Sequence, residues 1–244
     1  MRTESLVGLS TNEHAELVSD IEREGWAVTA PIVPQLAVDQ LVGALASVAA
    51  THEGRGGVRN LLDVSPAIRA LATSRAVRSV AEAVLGDACF AVRAMLFDKT
   101  PAANWKVVWH QDLTIAVRER AAVAGFGPWS EKEGVPHVQP PAELLERMLA
   151  VRVHLDDCDS ANGPVRVLPR SHRVGRLSAD AIAAWRGGAE PVECLAERGA
   201  ILAFRPLILH ASSPATAVGH RRVVHIEFAA EELPEPLAWH ARIA

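Results

Sequence analysis

The spacing of apolar residues in the first third of the chain is typical of helices. It predicts helices over residues 11–24, from 34 to a Gly-rich break at 53–57, over 66–73 and over 74–85, with a short strand over 26–29. Leu17, Val18 and Ile21 share one face of the first helix, which we expect Thr11 to cap and Gly25 to end. Residues 1–87 are therefore expected to be mainly helical.

From about residue 88 the pattern changes to short apolar runs separated by Gly, Pro and Asn, which favours β-strands. Strands are predicted over residues 89–97, 106–115, 148–155, 165–168, 200–204, 207–210 and 221–229. This number of short strands indicates a sandwich or barrel. We expect one domain over residues 1–244, with a helical layer packed on a β-core over 88–230.

The segment over residues 118–141 is longer than most connections within a compact domain. It is rich in Gly and Pro and carries Phe126 and Trp129. Long connections are usually functional or disordered. The segment is predicted either to close over a pocket as a lid or to cover an edge of the sheet.

Composition then narrows the class of protein. The 244 residues are 49% hydrophobic and 22% charged, as in ordinary globular proteins, and the net charge of −4 argues against a dedicated nucleic-acid partner. No apolar run reaches the roughly 18 residues of a membrane helix, and the N-terminus lacks the apolar region of a signal peptide. Three cysteines without a CxxC pair favour a cytoplasmic protein.

Candidate chemistry begins at Trp109-His110-Gln111-Asp112. On a strand, residues two apart point to the same face, so His110 and Asp112 would present an imidazole beside a carboxylate. Two histidines and one carboxylate on one face of a metal are typical of non-haem Fe(II) sites. However, His154-Leu155-Asp156 has the same spacing on another predicted strand, and spacing alone does not choose between the two.

A third ligand is expected from a distant strand. His210 ends the apolar run over 207–209, and Arg221 opens the last predicted strand. If these strands are neighbours, Arg221 would lie close to the metal, where its planar guanidinium matches a carboxylate. Ser212, two residues after His210, would add a hydroxyl donor to the same carboxylate.

Taken together, these motifs resemble the phytanoyl-CoA dioxygenase (PhyH-like) family of Fe(II)/2-oxoglutarate-dependent oxygenases. The resemblance rests on four elements in the family's order over residues 90–230: the WHQD run at 109–112, the block NGPVRVLPRSH at 162–172, HAS at 210–212, and Arg221. The implied fold is α+β, with an all-β core in the form of a double-stranded β-helix (a cupin-like jelly roll) and an N-terminal helical layer.

The resemblance also implies roles for individual residues. The family's metal-binding motif precedes the Asn-Gly-Pro block, so His110, Asp112 and His210 become the Fe(II) ligands at the catalytic centre. Arg221 and Ser212 become the residues that bind the distal carboxylate of the cosubstrate 2-oxoglutarate. The implied reaction uses O2 to hydroxylate or otherwise oxidise a C–H bond of a small-molecule substrate, with release of succinate and CO2.

Weaker candidates surround this set. Lys99 and Asn104 are candidates for the 1-carboxylate of 2-oxoglutarate or for the substrate. Candidate substrate contacts are Trp105, in a connecting loop, His137, in the suspected lid, and Arg152, beside His154.

Two other functions use the same residues differently. A metal-dependent hydrolase would place zinc in the same three ligands, but it would not need Arg221 and Ser212 near the metal. A non-catalytic jelly-roll binding protein would not need intact metal ligands.

Overall fold

The structure is a computed structural model that describes residues 9–50, 57–217 and 219–244. Its α-helices are α1 (Thr11–Glu24), α2 (Gln35–Ala50), α3 (Leu61–Val64), α4 (Pro66–Ala72), α5 (Arg75–Leu85), α6 (Ala142–Glu146) and α7 (Ala179–Gly188). The cap of α1 is Ser10 rather than Thr11, because the Ser10 hydroxyl accepts a hydrogen bond from the Glu13 amide and the Glu13 carboxylate accepts one from the Ser10 amide. Gly25 ends α1 in the left-handed conformation, as predicted.

The strands follow the predicted β-rich part of the chain, with one earlier strand among the helices. They are β1 (Trp26–Val28), β2 (Phe90–Lys99), β3 (Val107–His110), β4 (Ile115–Ala116), β5 (Trp129–Lys132), β6 (Val135–Val138), β7 (Leu149–His154), β8 (Val165–Leu168), β9 (Val192–Cys194), β10 (Ile201–Phe204), β11 (Leu209–Ser212) and β12 (Arg221–Ala229). The single strand predicted over 106–115 is wrong, since β3 ends at His110 and β4 begins at Ile115.

Two antiparallel sheets form the core of the fold. The larger has the strand order β1-β10-β7-β12-β2, and the smaller has the order β3-β11-β8-β9. Apolar side chains of both sheets, among them Val165, Val167 and Phe204, form one buried cluster between them. The neighbours in each sheet are mostly distant in sequence, as in a jelly roll, and the predicted fold class is confirmed.

The helices cover the outer face of the larger sheet. Ile21 of α1 and Val80 of α5 are fully buried in one cluster with Val224 and Ile226 of β12. Because successive strand residues point to opposite faces, the alternate residues of β12 turn away from the helices and toward the smaller sheet. This alternation places charged side chains of the larger sheet inside the jelly roll.

The long connection over 118–141 contains β5 and β6, which form a hairpin that extends β4 into a third sheet with the order β4-β6-β5. Val138 is buried in an apolar cluster against which Phe126 and Trp129 pack. The segment is therefore folded onto the body of the protein, and its closure as a lid stays a prediction. In the described ranges, no helix has the length and apolarity needed to cross a membrane.

Candidate metal centre and its cavity

The two strands β3 and β11 bring His110 and His210 together. The two residues are directly opposite each other in the antiparallel pair, and their ring centroids are 4.2 Å apart. Asp112 lies two residues beyond the end of β3, where its amide donates a hydrogen bond to the Pro206 carbonyl. One Asp112 carboxylate oxygen lies 3.8 Å from Nε2 of His110, and the other lies 3.7 Å from Nε2 of His210. The three side chains therefore converge, although Asp112 is not on the strand.

Hydrogen bonds orient both imidazoles. Nδ1 of His110 lies 2.8 Å from the Val108 carbonyl, and Nδ1 of His210 lies 3.0 Å from the Ile208 carbonyl. A carbonyl only accepts, so each Nδ1 carries the hydrogen and each Nε2 presents a lone pair toward Asp112. Burial lowers the pKa of His210 to about 4, which keeps its ring neutral at pH 7.

Asp112 is a carboxylate in this setting. Burial raises its pKa, but the electrostatic interactions with His210, His110, His225 and Arg93 together outweigh burial and lower the pKa below its ordinary value. The intervening Gln111 points elsewhere, donating hydrogen bonds to the carbonyls of Gly175 and Leu207. These bonds fix the turn that follows β3, so the position of Asp112 is built into the fold.

The ligand atoms of His110, Asp112 and His210 all lie within 4.8 Å of one another, which makes them a candidate metal centre. Asp112 also meets this criterion with His225 and Glu227. In that second group, however, Glu227 is ion-paired with a buried Arg93 at 2.6 Å, and Nε2 of His225 lies 3.3 Å from the same carboxylate oxygen. A cation there would compete with Arg93, so the first group is the better metal site.

A cavity of about 380 Å³ lies between the two sheets and opens beside the candidate metal centre. The centre lines it together with apolar and cationic side chains. Its charged lining residues are one carboxylate, Asp112, and five cations: Arg59, Arg93, Lys132, Arg152 and Arg221.

Arg221 lies at the start of β12, and its side chain is almost completely buried. It donates a hydrogen bond to the Gly163 carbonyl at 2.8 Å and another to the Cys158 side chain, while its Nε has no partner among the described residues. Gly163 has a φ of 69°, and a Cβ there would collide with the Ser213 carbonyl, so the approach of Arg221 to this carbonyl depends on glycine. Within the described ranges no carboxylate pairs with Arg221, and burial lowers its pKa. A buried guanidinium without a carboxylate partner in these ranges has the chemistry to bind an anion.

Ser212 and Lys99 support this end of the cavity. Ser212 lines the cavity, and its Oγ accepts a hydrogen bond of 3.0 Å from Nζ of Lys99, which also donates to the Ser213 carbonyl. Because Oγ is the acceptor toward Lys99, its own hydrogen is free to donate to a ligand. Lys99 itself does not line the cavity, and burial, followed by repulsion from Arg221, lowers its pKa to about 8.

Of the remaining predicted site residues, two line the cavity and two do not. Trp105 and Arg152 line the cavity. Asn104 does not, because its side chain exchanges two hydrogen bonds with the Ala215 backbone near the surface. His137 is buried in β6 outside the lining, where Nδ1 lies 3.0 Å from the Val135 carbonyl and burial lowers its pKa to about 4.

The second His-x-Asp motif does not form a metal centre in the part of the chain that the structure describes. Asp156 accepts two hydrogen bonds from the Arg222 guanidinium and a third from the Arg222 amide. His154 is buried with neither ring nitrogen hydrogen-bonded, and burial lowers its pKa to about 3. The structure therefore distinguishes the two His-x-Asp motifs, which have the same spacing in the sequence.

Three cationic lining residues were not anticipated from the sequence: Arg59, Arg93 and Lys132. Arg93 had a signal, because it is a charged residue within an apolar strand and its cross-strand partner Glu227 is another. No sequence pattern marked Arg59, which follows a glycine-rich stretch, or Lys132, which lies in the long connection over 118–141.

Comparisons with known proteins bear on the family and the fold. A family model described as phytanoyl-CoA dioxygenase (PhyH) matches residues 39–223. Three solved structures are similar in fold. The non-heme alpha ketoglutarate dependent carbocyclase SnoK from nogalamycin biosynthesis has a TM-score of 0.68 at 15% identity, over 90% of this chain and 83% of that one. AviO1 from Streptomyces viridochromogenes Tue57 has a TM-score of 0.67 at 22% identity, over 93% and 99%.

The third structure is EctD from S. alaskensis with 2-oxoglutarate and 5-hydroxyectoine, which has a TM-score of 0.68 at 18% identity, over 94% of this chain and 79% of that one. No curated protein sequence matches this chain significantly. At these identities the structural likeness establishes the fold.

Proposed function

Because the chain belongs to the phytanoyl-CoA dioxygenase family, we propose that it is an Fe(II)- and 2-oxoglutarate-dependent dioxygenase that oxidises a C–H bond of a small molecule. The observation that carries this proposal is the convergence of His110, Asp112 and His210 at a cavity that also holds the buried, unpaired Arg221. We treat residues 1–244 as one oxygenase domain.

The residues at the centre fit Fe(II). Two neutral imidazoles and one carboxylate form the donor set of non-haem Fe(II) oxygenases, and a metal held by these three residues would retain positions for other ligands. When bound, iron and 2-oxoglutarate supply the oxidising chemistry, in which O2 is consumed and the cosubstrate becomes succinate and CO2. Hydrogen bonds to backbone carbonyls orient both imidazoles, and the Asp112 amide is hydrogen-bonded to the Pro206 carbonyl, so little reorganisation is needed when the metal binds.

The part of the cavity beside Arg221 and Ser212 fits the distal carboxylate of 2-oxoglutarate. Arg221 offers a planar guanidinium with an unsatisfied Nε, and the Ser212 hydroxyl is free to donate beside it. We assign Lys99 the role of orienting Ser212 rather than of touching the cosubstrate, because Lys99 lies behind Ser212 and outside the cavity lining.

Other lining residues would position the substrate and exclude water. Met95, Phe97, Trp105 and Leu113 form apolar walls, and Lys132 of the β5–β6 hairpin closes one side. We propose that the segment over 118–141 restricts access to the site through this hairpin. Zinc hydrolysis would use the metal triad as well, but it gives no reason for the buried Arg221 nearby.

Succinate formation tests the proposal. The Fe(II)-loaded protein, supplied with 2-oxoglutarate, O2 and ascorbate, should form succinate when a panel of small molecules contains a substrate, and the Asp112→Ala variant should not. The matched control is Asp156→Ala, which removes the carboxylate of the other motif. Ester or amide hydrolysis by the zinc-loaded protein, with no succinate from the Fe(II)-loaded one, would favour the hydrolase instead.

A further inference from the structure

We propose that the substrate carries an anionic group, a carboxylate or a phosphate, which binds to Arg59, Arg93 and Lys132 at the end of the cavity away from Arg221. The inference rests on the proposed function, because it names the class of substrate for the same site. It follows from the charge of the lining residues, their positions along β12 and the size of the cavity.

The charges that line the cavity do not balance. Five cationic side chains line the cavity with one carboxylate, Asp112, although the chain as a whole carries a net charge of −4. Among the described residues, only one of the five, Arg93, has an ion-pair partner, Glu227, which lies outside the lining. Bound together, the proposed Fe(II) ion and the 2-oxoglutarate dianion would cancel each other's charge and leave this excess in place. The two carboxylates of 2-oxoglutarate are assigned to Arg221 and to the metal, so neither is left for the remaining cations.

The five cations form two groups along β12. Arg152, on β7, is repelled by Arg221 and belongs with it to the first group. Arg221 lies opposite Lys99 at one end, while Glu227, six residues further on, lies opposite Arg93. At about 3.4 Å per residue this places the Cα atoms of Arg221 and Glu227 about 20 Å apart along the strand, so the two groups approach the cavity from different ends. Arg59 and Lys132 interact electrostatically with Arg93, so they belong to the second group.

The second group has donors to spare. Arg93 is ion-paired with Glu227 at 2.6 Å, but its buried Nε and Nη1 have no partners in the described part of the chain. Within the same part, Nη1 of Arg59 lies 3.2 Å from the sulfur of Met95, and Nζ of Lys132 donates to the Thr114 hydroxyl at 2.8 Å. Unpaired buried donors of this kind are destabilising unless a ligand satisfies them.

The cations are also close enough to repel one another. Burial, followed by repulsion from Arg93 and Arg59, lowers the pKa of Lys132 to about 8. Apart from Glu227, the acidic residue that acts on Arg59 is Glu133, which is exposed on the hairpin and therefore screened by solvent. A bound anion would replace this repulsion with attraction.

The rest of the lining indicates what is attached to the anion. The apolar walls described above begin next to this group, since Met95 touches Arg59. A cavity of about 380 Å³ is near the small end of the range for ligand pockets. We therefore expect a small molecule with an apolar body and an anionic end.

The test uses three probes of nearly the same body: benzoate, phenyl phosphate and uncharged benzamide. Each is titrated calorimetrically into the Fe(II)-loaded protein without O2 and with saturating 2-oxoglutarate, which fills the Arg221 end. The test variant is Arg59→Gln/Lys132→Gln, with Lys132→Gln alone as a milder variant. The matched control is Arg118→Gln/Lys106→Gln, which removes the same charges from exposed positions.

We expect the better of the two acids to bind at least about tenfold tighter than benzamide, as charge-assisted hydrogen bonds require. The test variants should lose this preference, while the control keeps it and 2-oxoglutarate affinity stays within about twofold in all of them. Which acid binds better distinguishes carboxylate from phosphate.

Equal or absent binding of the acids, or an equal loss in the control, would overturn the inference. A large loss of 2-oxoglutarate affinity in the folded test variants would also do so, since the cluster would then serve the cosubstrate. Failure of the unmodified protein to bind 2-oxoglutarate would instead refute the proposed function, and the acid titrations without it would still measure the anion site.

Discussion

The two His-x-Asp motifs have the same spacing and opposite surroundings. Each histidine is the last residue of a strand, β3 for His110 and β7 for His154, and each aspartate lies two residues beyond. Asp112 faces two imidazole nitrogens at a cavity, whereas Asp156 is occupied by the Arg222 guanidinium. The residues across the sheet therefore decide the difference.

A His-x-Asp motif can therefore form a candidate metal site only when a neighbouring strand provides a further ligand. His210 lies directly opposite His110 in the smaller sheet. The residue opposite His154 in β12 is Val223, which offers no ligand, and the charged groups acting on His154 include Arg152 and Arg221. A cation between these two arginines would be repelled.

The largest difference between the two motifs is expected in Fe(II) binding when one histidine is removed from each. His110→Ala should weaken Fe(II) binding by more than the 10–100-fold typical of residues that only support a ligand, because it removes a proposed ligand itself. His154→Leu, which keeps similar volume at a buried site, should retain iron. Iron content after anaerobic loading and desalting measures both, and iron lost from His154→Leu but not from His110→Ala would reverse the assignment.

Arg221 and Arg222 are adjacent in sequence, but only Arg221 is proposed to bind the cosubstrate. Arg221→Gln should weaken 2-oxoglutarate binding by about one to two orders of magnitude, since a charge-assisted pair is worth roughly 1.5–3 kcal/mol. Arg221→Lys should restore only part of this, because an ammonium lacks the planar fork. Arg222→Gln is the control, as its guanidinium is bound to Asp156. The role of Arg221 fails if the two Gln variants bind 2-oxoglutarate equally well.

Asp156 should affect stability rather than the metal. Asp156→Asn removes a partly buried ion pair and should lower the free energy of unfolding by about 1–2 kcal/mol, reduced by solvent screening. Although burial opposes it, hydrogen bonding to Arg222 lowers the pKa of Asp156. A lowered pKa means that the stabilisation is present above the unfolded value of about 3.9 and is lost as pH falls through the folded one.

Chemical denaturation at several pH values measures this contribution. The difference between the unmodified protein and Asp156→Asn should be constant near neutral pH and shrink below about pH 4. Iron content at neutral pH should not change. A difference that grows on acidification would show that the pair is not the source of the stability.

The smallest effect is expected at Asn104. Its two hydrogen bonds to the Ala215 backbone lie near the surface, so Asn104→Ala should cost about 1 kcal/mol of stability and leave 2-oxoglutarate affinity within about twofold. Thermal unfolding and cosubstrate titration measure the two quantities separately. A tenfold loss of affinity would return Asn104 to the site as a cosubstrate contact.

Several features could be predicted because they depend on local physics. Apolar periodicity placed α1, α5 and β12, and residue alternation explained which side of β12 faces the interior. Strand β8 was predicted at its observed bounds, since the turn at Asn162-Gly163-Pro164 marks where it begins. The sequence also contained His110, Asp112, His210 and Arg221 as candidates.

Tertiary structure alone decided how these candidates are combined. Pairing of β3 with β11 joins residues one hundred positions apart, and no local pattern encodes that pairing. The end of β3 at His110 was also missed, because the turn after it depends on Gln111 reaching the backbone of Gly175 and Leu207. Local preferences set the elements of this protein, whereas long-range pairing set which polar side chains share a cavity and which, like Asp156, are neutralised outside it.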